Sequence, residues 1–219
     1  NVFNISSACD KNLFNTRDSE DNELLKTYSN FSPYILYSGA ADPRKNVKIL
    51  IEAYSKLLNK ISSFNLILVG KLVPAEIELV NEWIDQFDIE SAKVVFKGYV
   101  SDEELVDLYR NCSLFVFPSF HEGFGLPVLE AMSCGAPVIG SNRTSIVEVI
   151  GNQIAMFDPS NINEINLSQC LEAKSLAIKA PNEKPTKWNF VIFNSLVNFT
   201  NCLVKSSKLT LDFFKGVFP

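Results

Sequence analysis

With 219 residues the chain has room for one large domain or two small ones, and with 47% hydrophobic residues it can bury a core, which excludes an intrinsically disordered protein. Its formal net charge of −5 argues against a nucleic-acid surface, which needs a basic face. The five cysteines (Cys9, Cys112, Cys134, Cys170, Cys202) are scattered without a Cys-x-x-Cys pair, which argues against structural zinc and for a reduced, cytoplasmic location; no apolar run approaches the length of a membrane span.

Residues 1–32 are polar, with an acidic cluster at Asp18-Ser19-Glu20-Asp21, and read as a strand fragment followed by a linker. From Tyr34 the rhythm changes, and short apolar runs alternate with helical patterns. Strands are expected over 34–38, 64–69, 93–97, 113–117, 136–140 and 153–157, and helices over 46–60, 74–86, 102–111, 126–134, 144–149 and 163–178. Short apolar runs separated by helices indicate strands buried on both faces, hence a parallel sheet built from βαβ units: an α/β, Rossmann-like fold. In the first helix Val47, Leu50, Ile51, Tyr54, Leu57 and Leu58 share one face, and Asn46 stands at its N-cap position. Ser101 followed by Glu104 predicts a capping box. Lys71, after Val69-Gly70, reads as a solvated loop residue.

The chemistry concentrates in one run, His121-Glu122-Gly123-Phe124-Gly125-Leu126-Pro127-Val128-Leu129-Glu130-Ala131-Met132. Two glycines allow positive φ and close backbone approach to a ligand, and Pro127 suits the first turn of a helix. A helix N-terminus behind a Gly-rich turn is an anion site. The two flanking carboxylates would repel a bare phosphate but can bind hydroxyls, so the pattern fits a diphosphate with a sugar on either side. His121, the only histidine, reads as a packing residue at a strand end and not as a general base. The loops at 39–45, 98–100 and 118–126 all follow expected strands, so they converge on the carboxyl edge of the sheet, where open α/β folds bind ligands.

That run resembles the Glu-x7-Glu signature of retaining, GT-B-fold glycosyltransferases of group 1 (family 4). The likeness extends, in the family's order, through Pro33-Tyr34-Ile35-Leu36-Tyr37-Ser38-Gly39, Asp42-Pro43-Arg44-Lys45-Asn46, Phe96-Lys97-Gly98-Tyr99-Val100, Leu114-Phe115-Val116-Phe117-Pro118-Ser119 and Gly135-Ala136-Pro137-Val138-Ile139-Gly140. It implies the C-terminal, donor-binding half of a GT-B fold over 33–160. Residues 1–32 would be the linker from a missing N-terminal domain, and 161–219 a helical tail in which Trp188-Asn189-Phe190 starts a crossing helix. The chain begins at Asn1 without a Met, in keeping with a piece of something longer.

The resemblance further implies transfer of a sugar, with retention, from a nucleotide diphosphate-sugar donor to a glycan or lipid-linked acceptor held by the missing domain. GDP-mannose is the first expectation for the donor, and the full enzyme would associate peripherally with a membrane. By resemblance Glu122 contacts the transferred sugar, Lys45 and Arg44 neutralise the leaving diphosphate, Glu130 holds the ribose, and Val100 meets the base through its backbone. Gly39, Gly123, Phe124, Gly125 and Leu126 would line the donor. A side chain at Gly125 would block that approach. Many family members carry an Arg directly after the strand glycine; here Ala40 stands there, which makes Lys45 the stronger of the two cations.

No Gly-x-Gly-x-x-Gly, P-loop or Asp-x-Asp occurs, so neither a cofactor nor a metal is expected, and cationic side chains with a helix dipole would do the metal's work. Two alternatives stay open: a non-catalytic nucleotide-sugar-binding module lacking its acceptor domain, and another GT-B enzyme such as a sugar-nucleotide epimerase.

Overall fold

The computed structural model describes residues 9–16 and 31–178, and the crossing helix expected from Trp188 lies outside the described residues. Two units divide the chain, Asn1–Ser168 and Gln169–Pro219. The first contains six strands: β1 (Tyr34–Ser38), β2 (Asn65–Val69), β3 (Val94–Gly98), β4 (Leu114–Phe117), β5 (Val138–Ser141) and β6 (Met156–Phe157). Between them lie α1 (Val47–Leu58), α2 (Pro74–Gln86), α3 (Asp102–Asn111), α4 (Leu126–Ser133) and α5 (Ile146–Ile150). A further helix, α6 (Leu167–Ile178), starts at the end of the first unit, and its remainder is the described part of the second.

All the strand pairings are parallel, in the order β3-β2-β1-β4-β5-β6. This is the doubly wound Rossmann arrangement, as expected from the sequence. Tyr34 to Tyr37, Leu66 to Val69 and Leu114 to Phe117 are buried without a break, because helices cover both faces of a parallel sheet. That is why these strands read as continuous apolar runs and not as alternations. Aromatic rings fill the space around the central strands: Tyr37 stacks on Phe117 at 6.4 Å, and Tyr109 meets Phe115 edge-on at 5.3 Å. The core tyrosines donate to backbone carbonyls, Tyr34 to Leu108 (2.9 Å) and Tyr54 to Phe64 (2.8 Å), so neither of these hydroxyls is buried unsatisfied.

The sequence's boundaries shift where side chains compete for the backbone. The strand expected over 153–157 shrinks to Met156–Phe157, because Asn152 accepts a hydrogen bond from the amide of Ile154 and winds Gln153–Ala155 into a 3-10 turn. The helix expected from 144 begins only at Ile146, since Thr144 has φ +50°. Asn46 does occupy the N-cap position of α1, yet it makes no side-chain cap. In the left-handed region (φ 55°), it instead donates its amide to the carbonyls of Pro159 (2.8 Å) and Pro118 (3.3 Å), joining the loops after β1, β4 and β6. Ser101 caps α3 by accepting from the Glu104 amide, 3.2 Å.

Candidate active site at the strand-order reversal

The sheet order reverses between β1 and β4, so their outgoing loops part and leave a crevice at the carboxyl edge. After β1, Gly39 donates to Val69 O (2.8 Å), and Glu76 from the start of α2 accepts from the Ala41 amide (3.1 Å). Asp42 then caps a 3-10 turn over Pro43–Lys45, accepting from Arg44 N at 3.0 Å. That turn aims Lys45 across the crevice. Its Nζ lies 2.7 Å from Glu122 Oε1, with the two side chains only 14% and 10% exposed, and 5.5 Å from the centre of the Phe117 ring. Arg44 reaches the same carboxylate from the solvent side: Nη1 is 3.0 Å from His121 O and 3.5 Å from Glu122 Oε2. The backbones are stitched together by Phe120 N donating to Arg44 O, 2.9 Å.

Beyond Glu122 the chain enters α4 through Gly125, whose φ of +94° is a conformation few residues but glycine adopt. A Cβ there would meet only Ile146 Cγ1 at 3.7 Å, an ordinary contact. The demand for glycine at this position is therefore conformational, and no steric block arises within the protein itself. Among the described residues the amides of Gly123, Phe124 and Gly125 donate to no protein acceptor, and they stand at the positive end of a helix. Leu126 opens α4 with a partly exposed side chain, and Pro127 falls in its first turn.

Glu130, one turn further along, is half-buried. Burial pushes its carboxyl above the usual range, while Oε2 accepts a hydrogen bond from the fully buried Tyr109 hydroxyl at 3.3 Å. Val100 is buried just past β3 on the same edge, with β2 between that strand and β1, and beside it Tyr99 is 81% exposed. Thus Arg44, Lys45 and Glu122 come together, Glu130 stands behind them on α4, and Val100 is set apart along the edge. His121 departs from expectation: its side chain is exposed and packs no strand end, and its carbonyl is what the site uses. Lys71 is exposed, as the sequence suggested.

The family model for "Glycosyl transferases group 1" matches residues 25–168. This chain belongs to the group 1 glycosyl transferases. The serotype-specific mannosyltransferase WbdA of Escherichia coli is 40% identical over 167 residues, covering 75% of this chain and 20% of that protein. The O-antigen chain mannosyltransferase B of the same organism is 38% identical over 161 residues, covering 73% of this chain and 42% of that protein. The chain therefore spans between a fifth and under half of the length of these relatives. Among solved structures, Anabaena Alr3699/HepE in complex with UDP and glucose aligns with a TM-score of 0.65 at 20% identity, over 91% of this chain and 54% of that one. The C-terminal domain of the group 1 protein LpcC from Francisella tularensis aligns with a TM-score of 0.63 at 19% identity, over 93% of this chain and all of that one. At such identities these two establish the fold.

Within this group 1 glycosyl transferase, several site residues escaped sequence reasoning. Tyr109 supports Glu130, Glu76 pins the Ala41 amide, and Asn46 ties three loops. Thr144 and Ser145 hold the backbone of Glu122: Thr144 Oγ1 accepts from its N–H (3.2 Å) and Ser145 Oγ donates to its C=O (3.1 Å). One signal was available for these last two. They are hydroxyl residues three and four positions past the end of β5, on the edge where every other site loop emerges, although the sequence placed them at the start of the helix expected over 144–149.

Proposed function

We propose that this chain is the donor-binding part of a retaining glycosyltransferase that moves a mannosyl group from GDP-mannose to a glycan or lipid-linked acceptor. The observation that carries this reading is the Lys45–Glu122 pair, 2.7 Å apart and bridging the β1 and β4 loops where the strand order reverses. A cation and a carboxylate side by side suit a substrate whose reacting bond joins a phosphate to a sugar. The relatives named for mannosyl transfer support mannose as that sugar.

In this reading the diphosphate lies at the mouth of α4, where the amides from Gly123 to Leu126 and the helix dipole favour an anion. Glu130 accepts the ribose hydroxyls, its two oxygens matching the spacing of a vicinal diol. Gly39 and the Val100 backbone flank the donor. As the sugar–phosphate bond lengthens, negative charge grows on the departing oxygen and positive charge on the sugar ring. Lys45 and Arg44 meet the first, and Glu122 meets the second and orients the sugar hydroxyls. We assign 33–160 to the donor domain, 1–32 to the passage from an acceptor-binding domain and 161–219 to a helical tail. A cytoplasmic enzyme peripherally attached to a membrane completes the proposal.

Calorimetry with GDP-mannose, UDP-glucose, ADP-glucose and dTDP-glucose tests it. GDP-mannose is expected to bind tightest. A chain that binds none of the four would end the proposal, and tighter binding of another donor would replace GDP-mannose alone.

A further inference from the structure

We propose that Thr144 and Ser145 are positioning residues that fix the backbone of Glu122, and thereby its carboxylate, against the transferred sugar; this rests on the donor-site reading above. Glu122 is held at four points. Lys45 and Arg44 take its carboxylate oxygens, at 2.7 and 3.5 Å. Thr144 Oγ1 accepts from its amide at 3.2 Å, and Ser145 Oγ donates to its carbonyl at 3.1 Å. An incoming diphosphate draws the two cations to itself. The backbone contacts, by contrast, involve no group that the donor would recruit, so they are what keeps Glu122 in place once its carboxylate is released to the sugar. The loop conformation points the same way. Thr144 is β-branched and exposed, yet it sits at φ +50°, a region such residues avoid. A conformation of this kind persists where surrounding contacts over-determine it. Here the hydroxyl of Thr144 and that of its neighbour grip the two backbone groups of a single residue. The hydroxyls come from the loop after β5 and Glu122 from the loop after β4, so the clamp also couples adjacent strands at the site's edge.

Three substitutions separate the hydroxyl from the backbone shape. Thr144→Val keeps the β-branched outline and removes the acceptor, Thr144→Ser keeps the acceptor, and Ser145→Ala removes the donor. Hydrogen exchange on the whole chain is read at the Glu122 amide, with β4 amides as the folding control. It is expected to quicken about tenfold in Thr144→Val, the scale of one lost hydrogen bond, and to stay near the unsubstituted rate in Thr144→Ser. Calorimetry with GDP and with GDP-mannose should show Thr144→Val and Ser145→Ala weakening the sugar-bearing ligand several-fold more than GDP, with Thr144→Ser restoring the difference. Unchanged exchange in Thr144→Val overturns the clamp. Quickened exchange with an unmoved ratio of affinities overturns its role toward the sugar. If the unsubstituted chain binds neither ligand, the donor-site reading fails and the positioning role with it, while the exchange result still decides whether the clamp exists.

Discussion

Lys45 and Glu122 satisfy one another at 2.7 Å, and that mutual dependence sets what substitution at either does. Lys45→Met removes the cation proposed for the diphosphate and leaves a carboxylate 10% exposed without its closest partner. GDP affinity should fall roughly 10- to 100-fold, the range for a hydrogen bond to a charged group, as calorimetry would show. Glu130 behaves differently. Its carboxyl is pushed above the usual range by burial, so folding disfavours its ionisation relative to the unfolded chain. The stability it contributes is full below the ordinary carboxylate pKa and is lost as the pH rises through the higher folded value. Glu130→Gln is therefore expected to raise the melting temperature at pH 7 by about 1–3 °C, a modest gain because the group is only half-buried, and to show no gain near pH 3. The same variant should bind GDP more weakly, so stability and affinity move in opposite directions. Glu122 and Glu130 could be picked out of the sequence because glycines and a proline mark the loop and helix start around them, and Lys45 because its motif resembles the family's. Tyr109, and the loop-tying role of Asn46, could not. Each reaches its partner across a fold-dependent distance, from Tyr109 on α3 to Glu130 on α4 and from Asn46 to Pro118 and Pro159, and no spacing along the chain encodes that.

The strands were legible because a doubly covered parallel sheet demands unbroken apolar segments, and helix α1 because its buried side chains recur at the helical period. The end of the sheet was less so. Asn152 diverts the chain into a 3-10 turn before β6, and a side-chain bond of that sort outweighs the apolar pattern of Ile154 and Ala155. Backbone crowding gives the sharpest test among the turns. A Cβ on Gly70, at the end of β2, would lie 2.3 Å from the carbonyl oxygen of Gly39, at the end of β1, and Gly70 has φ +138°. Gly70→Ala has to move one of two neighbouring strand ends, and thermal or urea unfolding should show about 2–4 kcal/mol lost. Gly125→Ala has no such clash and should lose only about 1–2 kcal/mol, from its φ alone. If the two variants were equally stable, the crowding between β1 and β2 would be less tight than the structure has it.

Every residue placed at the site, from Gly39 to Ser145, lies in the first unit, and the family match likewise ends at Ser168. A chain cut after Ile178 should therefore bind GDP within about twofold of the full chain, a difference too small to mark a lost contact. A drop of tenfold or more would place part of the site in the later residues. Cys9, Cys112, Cys134 and Cys170 are free thiols, so a reducing agent should leave the melting temperature of that shortened chain unchanged.

The bridge between Lys45 and Glu122 also bears on which anions the resting protein admits. An ammonium already matched by a carboxylate at 2.7 Å is no open trap for sulfate or inorganic phosphate. Either ion would have to evict the carboxylate and then tolerate it alongside. A nucleotide carrying a sugar faces no such conflict, because its hydroxyls give the evicted carboxylate something to hold. In the donor-site reading, that pairing would select against small polyanions, because only a guest with both a phosphate and a sugar leaves neither charge stranded.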